Sequence, residues 1–322
     1  MSDAFLAHAA LWVATIVWGG SFVAARVVLH PQAAGDVVLS PVILAATRFS
    51  LASLFFVMPL TRAILGRRLG RRHLIKLAAL GQTAFSVYFW LQYVGVQKTN
   101  AGISSILVVG LTPVTTAVVA QIVGGEALGT ARLGALALGF AGVLVITVQT
   151  RGLAVSLDPG FFFGSLCLIA NAIGWGLNST LAKQWMRDEA LSPTLMTGGP
   201  MAFGAFGLIL ISLTSPAANR WSDVMRLDST RWLALLYIVL ACSVGGYLLY
   251  NFALTKVSAS QAAFYSYFEP VVAVSLGVSL LGERLSWPMV AGALMIGCAA
   301  LMIGRAPRII GPGAPESSGP AR

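Results

Sequence analysis

Long apolar blocks alternate with short polar stretches along almost the whole chain. An α-helix needs an apolar run of about 20 residues to cross the hydrocarbon core of a bilayer. Ten blocks of this kind follow one another, and each is predicted to form a transmembrane helix. The predicted spans are about 7–28, 40–61, 74–95, 101–123, 131–149, 160–183, 194–214, 232–255, 259–281 and 287–304. The pattern therefore predicts an all-α integral membrane protein with ten transmembrane helices.

The blocks repeat after a constant offset of 157 residues, so the chain holds two copies of one unit. The clearest equivalent pairs are Trp18-Gly19 and Trp175-Gly176, Tyr93 and Tyr250, Pro113 and Pro270, and Gly125-Glu126 and Gly282-Glu283. Internal duplication is typical of secondary transporters, whose substrate site lies where the copies meet. Because each copy holds an odd number of spans, the second copy is expected to enter the membrane inverted. Exchanging the conformations of the two copies would open a central cavity to each side in turn.

The duplication also predicts the domain organisation. Residues 1–150 form the first five-helix repeat, and residues 158–304 form the second, inverted one. Residues 305–322 are rich in Pro, Gly and Ser, which predicts a disordered tail. Basic residues crowd the predicted loop between the second and third spans. The positive-inside rule places this loop in the cytoplasm together with both termini and the tail.

Composition narrows the class of protein. Hydrophobic residues are 57% of the chain, charged residues are 10%, and the mean hydropathy is +0.82, which leaves too little polar surface for a soluble domain. The formal net charge is +10, but the basic residues gather beside apolar blocks, where they meet anionic lipid head groups. No basic face interleaved with aromatic residues is present, so nucleic acid is not an expected partner. The expected surroundings are the lipid bilayer.

The sequence lacks the motifs of an enzyme or of a nucleotide-driven pump. There is no phosphate-binding loop, and we expect transport without an ATPase subunit. The HExxH motif is absent, and no Ser, His and acidic group can meet within the membrane. Cys167, Cys242 and Cys298 lie in apolar blocks without paired spacing, which favours buried thiols over a metal site. We therefore expect no catalysis, no cofactor and no metal.

Polar and aromatic residues form stripes on several predicted spans. On the sixth span, Asn171, Trp175 and Asn178 share one helical face, and an equivalent face runs along the first span. Polar groups that face lipid are costly, so these faces must meet protein or water. Two interpretations stay open: hydrogen bonds between helices, or the wall of a cavity for an amphipathic solute. The candidate cavity residues are Trp18, Ser21, Gln82, Ser86, Tyr88, Asn171, Trp175, Asn178, Ser243, Tyr247, Asn251 and Tyr265.

Only two charged residues lie well inside the predicted spans, Arg48 in the second and Glu269 in the ninth. A charge at the bilayer centre costs about 2.5–3.5 kcal/mol on insertion scales, so each needs a partner or water. Four roles stay open: pairing of the two charges, structural hydrogen bonds from Arg48 to backbone carbonyls and from nearby donors to Glu269, control of the cavity potential, and proton carriage. Mid-span prolines and paired glycines predict bends that shape the cavity. The kink or hinge candidates are Gly19, Gly176, Pro113 and Pro270.

The ordered set of these motifs resembles the EamA branch of the drug/metabolite transporter superfamily. The resemblance covers about residues 8–304. It rests on Trp18-Gly19, Arg48-Phe49, Thr99-Asn100-Ala101, Pro113-Val114 with Gly125-Glu126, and Glu269-Pro270 with Gly282-Glu283. Within the superfamily the chain is most similar to the YddG-type aromatic amino-acid exporters. The resemblance implies ten helices in a basket around a central cavity. It also implies export of amino acids and related metabolites through a bacterial-type inner membrane.

We therefore expect a secondary transporter that exports amino acids, aromatic and other neutral ones, by alternating access. Its expected partner is a small amphipathic solute. Two alternatives remain: a proton-coupled carrier of drugs or nucleotide sugars from the same superfamily, and a membrane scaffold without transport. Nucleotide sugars would need several Lys or Arg in the cavity for their phosphates, whereas the deep spans offer only Arg48. The sequence leaves the oligomeric state and the energy coupling open.

Overall fold

The computed structural model describes residues 3–29, 31, 35–99, 104, 106–151, 158–214, 220–281 and 286–305. Within these ranges the chain is helical almost throughout and contains no β-strand. The predicted all-α class is confirmed for this part of the chain. The Gly282-Glu283 motif, Asn100-Ala101 and the predicted tail beyond Arg305 lie outside the described residues.

The helices follow the apolar blocks of the sequence, with polar loops between them. We label them in chain order. They are α1 Asp3–Leu29, α2 Pro41–Leu54, α3 Val57–Leu65, α4 Arg71–Lys98, α5 Ile106–Ile122, α6 Thr130–Arg151, α7 Pro159–Asp188, α8 Pro193–Thr214, α9 Ser222–Met225, α10 Ser229–Leu254, α11 Ala259–Phe264, α12 Glu269–Leu281 and α13 Trp287–Arg305.

Many of these helices suit a membrane. Among the described residues, six helices are long and apolar enough to cross a bilayer, and a seventh crossing arises if the bent pair α2 and α3 counts as one. Two shorter apolar helices span Ile106–Ile122 and Trp287–Met302. Large apolar side chains such as Phe162, Phe206 and Leu233 lie exposed on the outer surface. Such a surface suits lipid rather than water. The count of ten spans stays a prediction.

Helix starts can be read from local sequence. The Ser40 side chain accepts a hydrogen bond from the Ile43 N–H (3.4 Å), and Pro41 is the first residue of α2. Asp158 caps α7 in the same way through the Phe161 N–H (3.2 Å), again directly before a proline. A polar cap satisfies a free N–H of the first turn, and a proline at the first position has no N–H to lose.

The second predicted span, 40–61, is two helices bent by 57° instead of one. Pro59 gives a physical reason for the break. It has no N–H to donate to the Phe55 carbonyl, so a continuous helix would lose that bond. α3 restarts at Val57, which puts Pro59 in a first turn where the missing N–H costs nothing. Phe56 is buried at the bend and fixes the direction of α3.

Irregular helical turns interrupt three of the long segments. π-helical turns occupy Gln82–Val87 in α4, Ile106–Gly110 in α5 and Ile238–Gly246 in α10, and a 3-10 turn at Tyr265–Phe268 precedes α12. The first and third of these correspond at the 157-residue offset. Pro113 and Pro270, the predicted kink positions, follow the other two within a few residues. Such turns are often found at functional sites.

Helices α6 and α13 pack along a seam of small residues. A Cβ atom on Gly142 would lie 2.7 Å from the Gly292 carbonyl oxygen, and a Cβ on Gly292 would lie 2.7 Å from the Gly142 carbonyl oxygen. The two backbones can approach this closely only because both positions are glycine. Helices in lipid associate through close packing of this kind.

Candidate functional site

A cavity of about 120 Å³ lies between residues of the two sequence halves. One water needs roughly 10–15 Å³ on the same measure, so the space is large enough for a small solute. The first half lines it with Trp18, Ser21, Arg48, Tyr88, Phe89, Gln92, Val108, Val109 and Thr112. The second half lines it with Trp175, Tyr247, Ser266 and Glu269. Val108, Val109 and Ser266 belong to irregular turns, and Tyr88 and Tyr247 directly follow the π-helical turns of α4 and α10.

One wall of the cavity is a cluster of aromatic rings centred on Trp18. Its ring centroid lies 5.8 Å from that of Trp175, at 84°, and 5.5 Å from that of Tyr247. Tyr88 extends the wall, 5.9 Å from Trp175. Edge-to-face packing of this kind is favourable and holds the rings in fixed orientations. The wall can therefore receive an apolar or aromatic side chain.

The central indole is fixed by backbone contacts as well. Trp18 Nε1 donates a hydrogen bond to the Cys242 carbonyl oxygen (3.0 Å) in the π-helical turn of α10. A Cβ atom on Gly246 would lie 2.5 Å from Trp18 Nε1, so this position must be glycine for the ring to fit. On the other face of α1, a Cβ on Gly19 would lie 2.6 Å from Val272 Cβ in α12. The paired glycine, Gly176, allows α7 to approach Thr116.

Arg48 reaches the cavity from α2. Its Nε donates to Ser243 Oγ (2.6 Å), and Ser243 Oγ in turn donates to the Ile238 carbonyl oxygen (3.0 Å). The guanidinium carbon lies 4.8 Å from the ring centroid of Phe49 and 5.8 Å from that of Phe89, within the range of cation–π attraction. In the described part of the chain, its terminal nitrogens form neither an ion pair nor a hydrogen bond.

Glu269 reaches the cavity from the start of α12. It is half-buried, and the Ser266 hydroxyl one turn earlier is its hydrogen-bonding neighbour. The ion pairs found among the described residues join other groups, so Arg48 and Glu269 line one cavity without pairing. The interpretation of the two charges as a structural pair is therefore not met in this conformation.

Seven of the predicted cavity residues do not line this cavity. Their polar groups are engaged elsewhere in most cases, as the hydrogen-bond interpretation of the stripes expected. Gln82 donates to the Phe203 carbonyl oxygen (2.7 Å) and Ser86 to that of Gly204 (2.9 Å). Asn171 donates to the Tyr88 carbonyl oxygen (2.8 Å), and Asn251 donates to Thr197 Oγ1 (2.9 Å). Ser243 Oγ accepts from Arg48 Nε, Tyr265 Oη lies 2.8 Å from His8 Nδ1, and Asn178 lies half-buried on α7.

The π-helical turn of α4 accounts for the direction of the Gln82 and Ser86 side chains. In a regular helix, Gln82 and Ser86 share one face, and the sequence predicts that this face lines the cavity. The wider turn at Gln82–Val87 inserts an extra residue, which rotates everything after it by about 100°. Gln82 and Ser86 therefore point to α8, whereas the rings beyond the turn point to the cavity.

Six lining residues were not predicted: Phe89, Gln92, Val108, Val109, Thr112 and Ser266. Two of them have a signal in the sequence. Thr112 stands 157 residues before Glu269, and Ser266 stands one helical turn before it. Gln92 similarly follows Tyr88 by one turn. The valines carry no polar signal that separates them from lipid-facing residues.

A second partly buried carboxylate, Glu126, lies outside the cavity in the loop between α5 and α6. It follows Gly125, whose φ of +67° gives the turn a shape that suits glycine. Glu126 Oε1 accepts from the Ala259 N–H (2.7 Å) at the start of α11, and Oε2 accepts from Ser260 Oγ (2.9 Å). Lys183 Nζ of α7 lies 3.1 Å from Oε1 and donates to the Val257 carbonyl oxygen (2.9 Å). We call this contact the Glu126 latch.

The latch sets the charge state of its carboxylate. Burial by itself raises the pKa of Glu126, but the Lys183 ammonium, the Ala259 N–H and the Ser260 hydroxyl outweigh it. They hold the pKa below its ordinary value of 4.5. Glu126 is therefore ionised at neutral pH and ties the first sequence half to α7 and α11 of the second.

No group of three or more His, Cys, Asp or Glu that could hold a metal occurs among the residues the structure describes. Cys167 and Cys242 are buried free thiols, and Cys298 is an exposed one. The cavity offers aromatic faces, one guanidinium, one carboxylate, hydroxyls and an amide. Such groups can bind and orient a solute.

Comparison with known proteins adds a family relationship. The pattern of the EamA-like transporter family matches the chain twice, over residues 6–148 and 162–305. A Salmonella typhimurium (strain LT2) protein named probable amino-acid metabolite efflux pump is 29% identical over 307 residues, 91% of this chain and 92% of that protein. A WAT1-related chloroplastic protein of Arabidopsis thaliana is 30% identical over 207 residues, 62% of this chain and 47% of that protein. The chain thus spans about half the length of the Arabidopsis relative.

A solved crystal structure resembles the fold of the whole chain. It aligns with a TM-score of 0.74 at 17% sequence identity, and the match covers 92% of this chain and 96% of the other. At this identity the likeness concerns the fold alone.

Proposed function

The chain belongs to the EamA-like transporter family, and from this premise we propose that it exports amino acids, aromatic and other neutral ones, from the cytoplasm by alternating access. It is a multi-pass membrane transporter; the substrate and the mode of transport are the proposal. The observation that carries the proposal is the cavity between the two halves, with an aromatic wall and one charge of each sign. An amphipathic solute that has no net charge, but carries a charged head group and an apolar body, matches those groups.

The architecture we propose is ten helices in two inverted five-helix repeats, 1–150 and 158–304, with both termini in the cytoplasm and the protein in a bacterial-type inner membrane. Two observations support it. The family pattern matches each half separately. The π-helical turn at Gln82–Val87 has its counterpart in the second half at Ile238–Gly246.

The Glu126 latch supports alternating access. It joins the two sequence halves at one end of the bundle, and such a contact can hold that end shut. We propose that the Glu126 latch forms when that end of the bundle is closed and breaks when the cavity opens there.

Recognition of amino acids is supported by the lining residues. The rings of Trp18, Trp175 and Tyr247 offer a surface for an aromatic or aliphatic side chain. The name of the Salmonella typhimurium relative points to the same class of solute. A nucleotide sugar carries several phosphate charges, and Arg48 is the one guanidinium or ammonium among the lining residues.

A proton-coupled carrier of the same superfamily is the second candidate function. One observation favours it: Glu269 lies in the cavity without an ion pair in the described part of the chain. A carboxylate in that position can bind and release a proton. Uptake into vesicles that accelerates under an imposed pH gradient would favour this candidate over simple exchange.

Counterflow in proteoliposomes tests the proposed function. Vesicles preloaded with unlabelled solute should accumulate labelled phenylalanine and threonine but not UDP-glucose. Trp175→Ala removes one ring of the aromatic wall and should strongly reduce phenylalanine exchange, whereas Trp287→Ala, at a position 85% exposed and outside the cavity, should not. Absence of phenylalanine and threonine exchange by correctly folded protein would contradict the proposal.

A further inference from the structure

The cavity holds one positive and one negative side chain that do not pair with each other. Arg48 and Glu269 both line it, and both are half-buried rather than enclosed. In the described part of the chain neither has an ion-pair partner. Charges inside a membrane protein are costly unless something satisfies them. The question is what satisfies these two.

The fold itself does not require the two charges. At the 157-residue offset, Arg48 corresponds to Ala205, a buried residue, and Glu269 corresponds to Thr112, which also lines the cavity. Each half therefore forms its helix with a neutral residue at the position where the other half has a charge. Both of these departures from the internal symmetry place a charge at the cavity, which points to a ligand rather than to packing.

The contacts of Arg48 engage its Nε and leave the two terminal nitrogens of its guanidinium available. Nε is bound to Ser243, and the rings of Phe49 and Phe89 cover the group at 4.8 and 5.8 Å. These contacts fix the plane of the guanidinium, while its terminal nitrogens have no partner in the described part of the chain. A fixed fork of two N–H donors matches a carboxylate, which it binds through two parallel hydrogen bonds.

Glu269 offers the complementary group. Its carboxylate has the Ser266 hydroxyl beside it and faces the same space as Arg48. An ammonium group can donate to a carboxylate and a hydroxyl at once. The neighbouring indoles of Trp18 and Trp175 add aromatic faces, which attract cations.

We propose that the cavity recognises its solute as a dipole: Arg48 binds the carboxylate and Glu269 binds the ammonium of an α-amino acid. This inference rests on the proposed function. It follows that a solute must carry both charges, because a solute with only one leaves a cavity charge without a partner. It also follows that loaded and empty cavities have the same net charge, so exchange of a neutral amino acid moves no net charge across the membrane.

Three solutes that share one phenyl group test the inference. Phenylalanine carries both charges, 3-phenylpropionate only the carboxylate, and phenethylamine only the ammonium. Wild-type protein in proteoliposomes should exchange phenylalanine and reject both singly charged analogues by about 100-fold or more, since a site built for a polar group rejects a ligand that lacks it.

Two variants provide a crossed control that misfolding cannot imitate. Glu269→Gln removes the unpaired carboxylate, so the ratio of phenylpropionate to phenylalanine exchange should rise about tenfold or more over wild type. Arg48→Gln should raise the ratio of phenethylamine to phenylalanine exchange instead. Asp188→Asn, an exposed carboxylate outside the cavity, should change neither ratio. Exchange is measured per folded protein, with folding checked by size-exclusion chromatography.

The outcomes separate this inference from the proposed function. A folded wild-type protein that does not exchange phenylalanine contradicts the proposed function and the inference together. Phenylalanine exchange accompanied by equal exchange of either singly charged analogue contradicts the inference alone. The same holds if Glu269→Gln and Arg48→Gln change both ratios alike. Selective exchange of phenylalanine with the crossed shifts supports it.

Discussion

Glu126 and Glu269 are both partly buried carboxylates, one in the loop after α5 and the other in the cavity, and their surroundings differ. Glu126 receives hydrogen bonds from two backbone N–H groups and one hydroxyl, and Lys183 balances its charge. Glu269 has the Ser266 hydroxyl beside it and an open cavity in front. The comparison teaches how to separate structure from site in a membrane protein. A charge that the protein itself satisfies can hold helices together, whereas a charge that it leaves unpaired is available to a ligand.

Neutralising Glu269 is the change with the largest expected effect on transport. We predict that Glu269→Gln lowers phenylalanine exchange by about 100-fold, because the ammonium loses its counter-charge. Its thermal stability in detergent should not fall, since the fold gains little from a charge without a partner. Transport and unfolding temperature are measured on the same preparation. A variant that transports normally, or one that loses stability and transport in proportion, would place Glu269 with the structural residues.

The matched change at the latch should give the opposite pattern. Glu126→Gln leaves Lys183 without its counter-charge and weakens the cap of α11, which we expect to cost about 1–3 kcal/mol of stability. The selectivity for phenylalanine over its singly charged analogues should stay at the wild-type value, because the latch does not touch the solute. Chemical or thermal unfolding and counterflow measure the two quantities. Altered selectivity would show that the latch and the cavity are not separate.

A double variant sharpens the assignment of the latch. Lys183→Met alone should destabilise the protein, because it leaves the partly buried Glu126 carboxylate without its cation. Combined with Glu126→Gln, the loss should be smaller than the sum of the two single losses, by about 0.5–3 kcal/mol. The same cycle between Glu126→Gln and Glu269→Gln should be additive. Strong coupling in that second cycle would contradict the separation of the two carboxylates.

Lowering the pH should have a smaller effect on the stability that the Glu126 latch provides. The pKa of Glu126 is lowered in the folded protein, so its stabilising contribution is complete above the ordinary value of 4.5. That contribution is lost as the pH falls from about 4.5 through the lower folded pKa. The stability difference between wild type and Glu126→Gln should therefore shrink over this range. A difference that stays constant down to strongly acidic pH would exclude the carboxylate as its origin.

The smallest expected effect concerns the support of Arg48. Ser243→Ala removes the acceptor of the Arg48 Nε donor and should weaken apparent phenylalanine affinity by only a few-fold, about 1 kcal/mol or less. The dependence on both solute charges should persist, because the guanidinium itself remains. Half-saturation concentrations from counterflow measure the change. Complete loss of exchange would mean that Ser243 contributes directly to the solute site.

The comparison also shows which site residues can be predicted from the sequence. Arg48 and Glu269 stood out because charges are rare in apolar spans, and the paired Trp18 and Trp175 stood out through the internal repeat. All four line the cavity. The predicted spans 40–61 and 160–183 begin within one residue of α2 at Pro41 and α7 at Pro159, because apolar runs mark helix limits locally.

What the sequence could not supply was non-local or irregular. The π-helical turn at Gln82–Val87 changes the helical register without a recognisable residue pattern, so residue spacing does not reveal that Gln82 and Ser86 point to α8. The Asn171 and Asn251 side chains turn to groups on neighbouring helices, which no spacing rule reveals. The latch joins Glu126 to Lys183 and to Ala259, at separations that only the folded bundle brings together.

The most direct test of alternating access is whether the cavity can be reached from both sides of the membrane. Ser21 lines the cavity, and Ser21→Cys is a near-isosteric change that can be labelled once Cys167, Cys242 and Cys298 are replaced by alanine. We predict that a membrane-impermeant maleimide labels it in right-side-out and in inside-out vesicles, and that phenylalanine slows the labelling from each side. Labelling from one side only, or labelling that phenylalanine does not slow, would contradict an alternately open cavity that holds the solute.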